Sequence, residues 1–182
     1  MAATSNFSRI GNILLIVLLA ALAVRYFYMK PKYGGGEPAP NIEATDISGE
    51  AFTLEQLEGQ FVLVDFWGSW CGPCRQENPF LVALYDNYHD KPLTDKGGLE
   101  IVSIGVENSD QRWKRAIEKD GLRWPHHILD QSTSLRFFNG PISEAYGIKE
   151  VPTKYLINPE GEIMEANPSI ERIQEILDGQ LD

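Results

Sequence analysis

The chain predicts a layered α/β domain carried behind one apolar N-terminal helix. Two observations predict it. Short apolar runs of strand character alternate with amphipathic helical stretches, then end in a hairpin and a last helix. Separately, a 20-residue apolar segment from Ile10 to Met29 stands apart in composition from everything after it. The 182 residues suit about one domain plus an appendage. With 43% hydrophobic and 23% charged residues, the chain can bury a core without disulfide staples.

Residues 1–9 form a short N-terminal tail. In Ile10–Met29 only Asn12 and Arg25 are strongly polar, and Ile13 to Val24 is unbroken. A helix of that length spans about 30 Å, the thickness of a bilayer core. Arg25 suits an interface, and Tyr26, Phe27 and Tyr28 suit an aromatic belt. The segment is expected to be a transmembrane anchor. A cleaved signal peptide is the alternative, with Ala21-Leu22-Ala23 as an A-x-A-like site. Arg9 precedes the run and Arg25, Lys30 and Lys32 follow it, so the basic flanks lean towards a cytoplasmic C-terminal side. Residues 30–40 hold three glycines and three prolines and read as a linker, at most about 36 Å when extended.

Residues 41–182 form the globular domain. It carries 12 basic against 25 acidic residues, a net charge of −13. That excludes a general nucleic-acid binder, which needs a basic surface. Phe61–Phe66 is an apolar run with the pattern of a strand buried on both faces. Pro73–Tyr88 is helical by spacing, with Pro79 expected to kink it. Glu100–Val106 is a second buried strand. Gln111–Lys119 is an amphipathic helix ended by Gly121. His127–Leu129 is a short strand. Lys154–Ile157 and Glu162–Ala166 form a hairpin across Asn158-Pro-Glu-Gly161. Ser169 caps a closing helix whose Ile170, Ile173, Ile176 and Leu177 share one face.

The chemistry lies in Trp70-Cys71-Gly72-Pro73-Cys74, between a strand and a helix. Thiol chemistry needs a thiolate. A helix N-terminus supplies unpaired N–H groups and a positive dipole end, so Cys71 at the very start is the candidate nucleophile. Cys74, one turn inside, is the resolving thiol. Only two cysteines are present, which excludes a disulfide scaffold and a four-cysteine zinc site. Half a zinc site, or a copper site using His126 or His127, remains as the metal alternative. Asp65 falls inside the apolar strand, six residues before Cys71, where a carboxylate is costly. It is assigned as the proton acceptor for Cys74; the alternative is a surface-facing or hydrogen-bonded structural carboxylate. Glu77, three residues after Cys74, is either part of the site or a solvated first-turn carboxylate. Trp67, Trp113 and Trp124 read as core or rim packing.

These segments resemble the thioredoxin superfamily. Val64-Asp-Phe-Trp-Gly-Ser-Trp-Cys-Gly-Pro-Cys-Arg75 is similar to its active-site segment, and Tyr146-Gly-Ile-Lys-Glu-Val-Pro-Thr153 to its second signature. The resemblance implies a thioredoxin fold, a central mixed sheet flanked by helices. It implies a cis Pro152 facing the cysteines and a Val151 backbone that docks an extended substrate beside Trp70, Gly72 and Pro73. Within the superfamily the chain resembles TlpA/ResA-type membrane-tethered thiol–disulfide oxidoreductases. They share the anchor, a small hairpin (here Ala39–Thr53) and an internal strand–helix insertion, for which Gly105–Tyr146 have room. In that family a glutamate at the Glu77 position lies near the cysteines. Many members carry Asn where this chain has Asp65; Asp and the Gly-Pro dipeptide are thioredoxin's own and point to a reductant.

The resemblance also implies a domain outside the cytoplasmic membrane, on the periplasmic side, against the lean of the basic flanks. It implies no cofactor beyond the Cys71–Cys74 disulfide, no resident metal, a membrane thiol donor, and protein disulfide substrates such as apocytochrome c. Two rivals are a peroxiredoxin-like thiol peroxidase and a Sco-type copper chaperone. The first uses Thr or Ser three residues before its nucleophile and a Pro further back, where this chain has Gly68 and Val64. The second normally has three residues between its cysteines, where this chain has two.

Overall fold

The computed structural model describes residues 3–95, 97–135 and 138–181. It divides into two compact units, 1–30 and 31–182. The first is helix α1 (Ala3–Met29). Its stretch Arg9–Met29 has a mean hydropathy of 2.2 and no buried residue within the unit, so it is long and apolar enough to cross a membrane.

The second unit begins with hairpin strands β1 (Glu43–Thr45) and β2 (Ala51–Thr53), then a 3-10 turn, Leu54–Leu57. The main elements follow: β3 (Phe61–Trp67), α2 (Gly72–Tyr88), β4 (Leu99–Glu107), α3 (Asp110–Asp120) and β5 (His126–Gln131). The chain closes with α4 (Pro141–Tyr146), β6 (Thr153–Ile157), β7 (Ile163–Ala166) and α5 (Ile170–Asp178). Five strands form one sheet in the order β5-β4-β3-β6-β7. β3, β4 and β5 run parallel, while β6 is antiparallel to both β3 and β7. The fold is thioredoxin-like, with the expected hairpin in front and α3, β5 and α4 filling Gly105–Tyr146.

Strand β3 is buried along its whole length, as its apolar run predicts. Strand side chains alternate between faces. Phe61, Leu63 and Trp67 join one core layer with Leu81, Leu84, Trp113, Ile173 and Leu177 from α2, α3 and α5. Val62, Val64 and Phe66 join the other, beneath the hairpin and α4, with Phe52, Tyr146 and Tyr155. By the same parity Asp65 lies on the α2 face. Of the core or rim packing expected for three tryptophans, the structure shows core: Trp67, Trp113 and Trp124 are each at most 2% exposed.

The helices end where the sequence places their signals. Ser109 and Ser169 cap α3 and α5 through their hydroxyls, and Gly121 closes α3 with a left-handed φ of 67°. Helix α4 has Gly140 at its N-cap and so no cap of its own. The buried Asp130 of β5 replaces it, accepting the N–H groups of Ile142 (3.1 Å) and Ser143 (2.8 Å). Helix α2 runs on through Pro79, and its far end is tied to α5 by the Tyr88 hydroxyl donating to Asp178 at 2.7 Å.

Part of the stretch expected to be a free linker is not free. Gly36 N–H donates to Ile163, and Ile163 N–H donates to Glu37, both at 2.8 Å. Ala39 N–H reaches Gly161 at 2.9 Å, and Lys32 reaches the Ala145 carbonyl at 3.0 Å. The segment lies along the open edge of β7, satisfying groups an edge strand would leave unpaired. Composition alone cannot show this, because the partners lie over a hundred residues away.

Gly98 is the tightest joint between α2 and β4: a Cβ there would overlap the carbonyl oxygens of Tyr88 and His89. Gly98→Ala is therefore expected to cost about 1–3 kcal/mol, read by denaturant unfolding of the full chain in detergent. Unchanged stability would show that the α2–β4 turn relaxes freely.

Candidate active site

Strand β3 ends at Trp67, and a three-residue loop delivers Cys71 as the N-cap of α2. Its sulfur accepts the N–H of Cys74 at 3.2 Å. Pro73, in the first turn, lacks only an N–H that would be unpaired there anyway. Cys71 and Cys74 form a disulfide. Both are buried, Cys71 at 5% exposure and Cys74 at 1%. The N–H groups and positive dipole end of α2 lie at Cys71, one turn ahead of Cys74.

The loop is held from several sides. The Trp70 indole donates to the Val106 carbonyl at 2.9 Å, and the Ser69 N–H donates to the buried Glu107 carboxylate. Arg75 pairs with Asp120 of α3 and donates to the Ser69 carbonyl at 3.3 Å. Asn78 adds a 2.7 Å hydrogen bond to the same carboxylate. A Cβ on Gly68 would strike the Trp70 ring, so position 68 has no room for a side chain while that ring is in place. Glu107 escapes notice in the sequence because it ends an apolar run. A carboxylate at the C-terminal tip of a buried strand was its only signal.

Opposite the disulfide lies the loop before β6. The Val151–Pro152 peptide is cis, and the Val151 carbonyl is 3.7 Å from the Cys71 sulfur. The structure thus gathers Trp70, Gly72, Pro73, Val151 and Pro152 around the cysteine pair. Trp70 is 39% exposed, with Phe138 beside it at 6.4 Å between ring centres. On the other flank a shallow groove is lined by Pro73, Gln76, Glu77, Phe80, Pro152 and Ile170. Phe80 is 61% exposed there.

Beneath the helix the structure adds a residue the sequence reading passed over. Asp65 of β3 is paired in register with Lys154 of β6. Leu156, two residues on, packs in the α2-side layer, so Lys154 shares that face by parity. Its ammonium meets both oxygens of Glu77 at 2.7 Å. Glu77 is therefore an ion-paired residue rather than a freely solvated one. Asp65 is 2% exposed. Burial pushes its pKa up to about 7; Lys154 opposes that rise and Glu77 adds to it. A lysine in the buried run Thr153–Ile157 was the available signal, since such a charge requires a partner.

The histidines are engaged elsewhere. His126 lies 4.0 Å from Glu100 and against the Phe52 ring, while His127 stacks on Trp124. Burial drives the pKa of His127 down to about 4. Among the described residues no cluster of three His, Cys, Asp or Glu side chains is arranged to hold a metal ion.

Comparison with known proteins agrees with this geometry. The AhpC/TSA family profile matches residues 35–166. The thiol-disulfide oxidoreductase ResA of Bacillus anthracis is 32% identical over 173 residues, 93% of this chain and 91% of that protein. ResA of Bacillus subtilis (strain 168) is 31% identical over 162 residues, 87% and 82% of the two chains. Among solved structures, the thioredoxin domain of a thiol-disulfide oxidoreductase from Bacteroides vulgatus superposes with a TM-score of 0.69 at 28% identity. It covers 83% of this chain and 100% of that one. StoA from Bacillus subtilis gives 0.57 at 27% identity, covering 76% and 96%. The chain belongs to the AhpC/TSA family and, within its thioredoxin-fold members, to the ResA-related thiol-disulfide oxidoreductases.

Proposed function

We propose that this enzyme is a reductant, passing electrons to protein disulfides outside the cytoplasmic membrane from an anchor formed by residues 10–29. The observation that carries this reading is the Cys71–Cys74 pair at the start of α2, facing the cis Val151–Pro152 peptide. Resemblance to ResA-type proteins supports the extracytoplasmic side and a role in cytochrome c maturation. The apolar Arg9–Met29 helix supports membrane attachment. The donor is a membrane thiol carrier, and no cofactor beyond the disulfide takes part.

The chemistry proceeds in two exchanges. The Cys71 thiolate attacks one sulfur of the substrate disulfide; a Cys71–substrate bond forms and the other substrate sulfur leaves as a thiolate. Cys74 then loses its proton to Asp65 and attacks the Cys71 sulfur. The Cys71–Cys74 bond forms, the mixed disulfide breaks, and the second substrate thiolate departs. Two electrons have passed to the substrate, and a dithiol donor restores the enzyme. Asp65 suits the proton transfer because its pKa of about 7 lets it accept and return a proton near neutral pH. Val151 and Pro152 receive the substrate backbone, with Trp70 on one flank and the Phe80 groove on the other. A peroxidase is disfavoured, since Gly68 carries no hydroxyl where peroxide chemistry would place one.

The reduction potential of the pair in the full chain tests the direction. A value near −270 mV, roughly thioredoxin's, is expected; a value near −120 mV would make the enzyme an oxidant. Cys74→Ser is expected to trap mixed disulfides through Cys71, visible as higher-mass species on non-reducing gels. Their absence would remove the assigned division between the two thiols.

Asp65→Asn is expected to slow resolution more than initial attack in stopped-flow exchange. It should also stabilise the fold at alkaline pH. The folded-state pKa of Asp65 lies above its unfolded value, so the folded state binds the extra proton and wild-type stability falls as pH rises between about 4 and 7. The variant's advantage should therefore be largest at about pH 8 and vanish below about pH 4, by denaturant unfolding at both. A difference independent of pH would mean that Asp65 does not titrate in that window.

A further inference from the structure

We propose that Lys154 is a positioning residue for the exchange reaction: it holds Glu77 in an ion pair and favours the form of Asp65 that accepts the Cys74 proton. This rests on the thiol–disulfide reading above and concerns the control of that site.

Lys154 is only 5% exposed, second in a fully buried five-residue strand. Its place is fixed at both ends. The Lys154 N–H donates to the Asn167 side chain at 2.9 Å, and the Asn167 N–H donates back to the Lys154 carbonyl at 2.7 Å. Asn167 adopts a left-handed φ of 54° to do this. The ammonium end grips both oxygens of Glu77, while the register sets Lys154 opposite Asp65. The charged groups around it are therefore Glu77 from α2 and Asp65 from β3, with the cysteine pair at the head of α2. β4 presents neutral Ser103 at the level of Asp65, β7 is followed by neutral Asn167, and α5 contributes Glu171 on the rim of the groove.

Charge counting explains what the lysine does. With Lys154 and Glu77 paired, the buried set is neutral when Asp65 holds a proton and carries one negative charge when it does not. Without the lysine, ionising Asp65 would place a second anion beside Glu77 in a region sheltered from water, which is strongly opposed. Lys154 thus makes proton transfer to Asp65 reversible near neutral pH. A purely structural ion pair would not need this location, because buried pairs are commonly replaceable by apolar residues without loss of stability.

The test uses the reduced full-length chain in detergent and an aromatic disulfide, dithiobis(nitrobenzoate). Attack by Cys71 releases one coloured thiolate and leaves a mixed disulfide. Displacement by Cys74 releases the second as the Cys71–aryl bond breaks and the Cys71–Cys74 bond forms, with the Cys74 proton passing to Asp65. The pH midpoint of the second phase is the readout. Lys154→Met is expected to raise it by about one unit, making the second phase about fivefold slower at pH 7. Glu77→Gln is expected to lower it, and the double variant to return towards the wild-type value.

An unmoved midpoint in Lys154→Met overturns the proposal, as does a double variant that behaves like Glu77→Gln alone. If Lys154→Met does not fold, the double variant removes both charges together, and comparison with Glu77→Gln isolates the lysine. A wild-type chain that releases only one thiolate overturns the two-thiol mechanism itself, and this inference with it. Two-phase release with unmoved midpoints defeats only the role of Lys154.

Discussion

Strand β3 is buried on both faces and hydrogen-bonded on both edges, and the remaining structure is organised by that burial. Its apolar run needs a layer above and a layer below. Helices α2, α3 and α5 supply one; the hairpin and α4 supply the other. The strand cannot shift by one residue without turning every side chain to the opposite face. Its C-terminal end is consequently a fixed point, and the loop that carries Cys71 starts there. The rigidity of the site comes from the sheet, with hydrogen bonds from Trp70, Ser69 and Arg75 removing the remaining freedom of the loop.

The same alternation that builds the core installs charge inside it. Asp65 and Lys154 occupy positions that would otherwise hold apolar side chains facing α2. Such placement costs stability, since ions lose hydration on burial and recover it only through well-aligned partners. Lys154 has that alignment with Glu77, whereas Asp65 responds by binding a proton more readily. The result is a buried carboxylate of raised pKa on the same face of the sheet as the helix that carries the cysteine pair. One helix thus contributes at two levels: its N-cap is Cys71, and its next turn places Glu77 against Lys154.

The surface beside the sulfurs is mixed. The domain carries a net charge of −13, and the groove next to the pair combines apolar Pro73, Phe80, Pro152 and Ile170 with polar Gln76, Glu77, Ser169 and Glu171. Outside α1, the exposed large apolar side chains are few, and Trp70 and Phe80 are two of them. Those two side chains place exposed apolar area on an otherwise acidic domain, the kind of patch that marks a contact surface.

Local chemistry determined much of this in the sequence. The buried strands follow from continuous apolar runs, α3 and α5 from helical spacing with serine and glycine end signals, and the dithiol from two cysteines at a strand–helix junction. Asp65 was legible because a carboxylate in an apolar strand stands out. The cis form of Pro152 was not: its spacing alone selects neither isomer, and only the resemblance implied it. Nor was Lys154 legible as a site residue, because its partner is 77 positions away and on another element. The docking of Gly36–Ala39 beside β7 likewise depends on an edge that exists only after the sheet has formed. Properties set by periodicity and local hydrogen bonding belonged to the sequence; properties set by pairing distant charges and covering open edges waited for the tertiary fold, which alone brings those groups within reach.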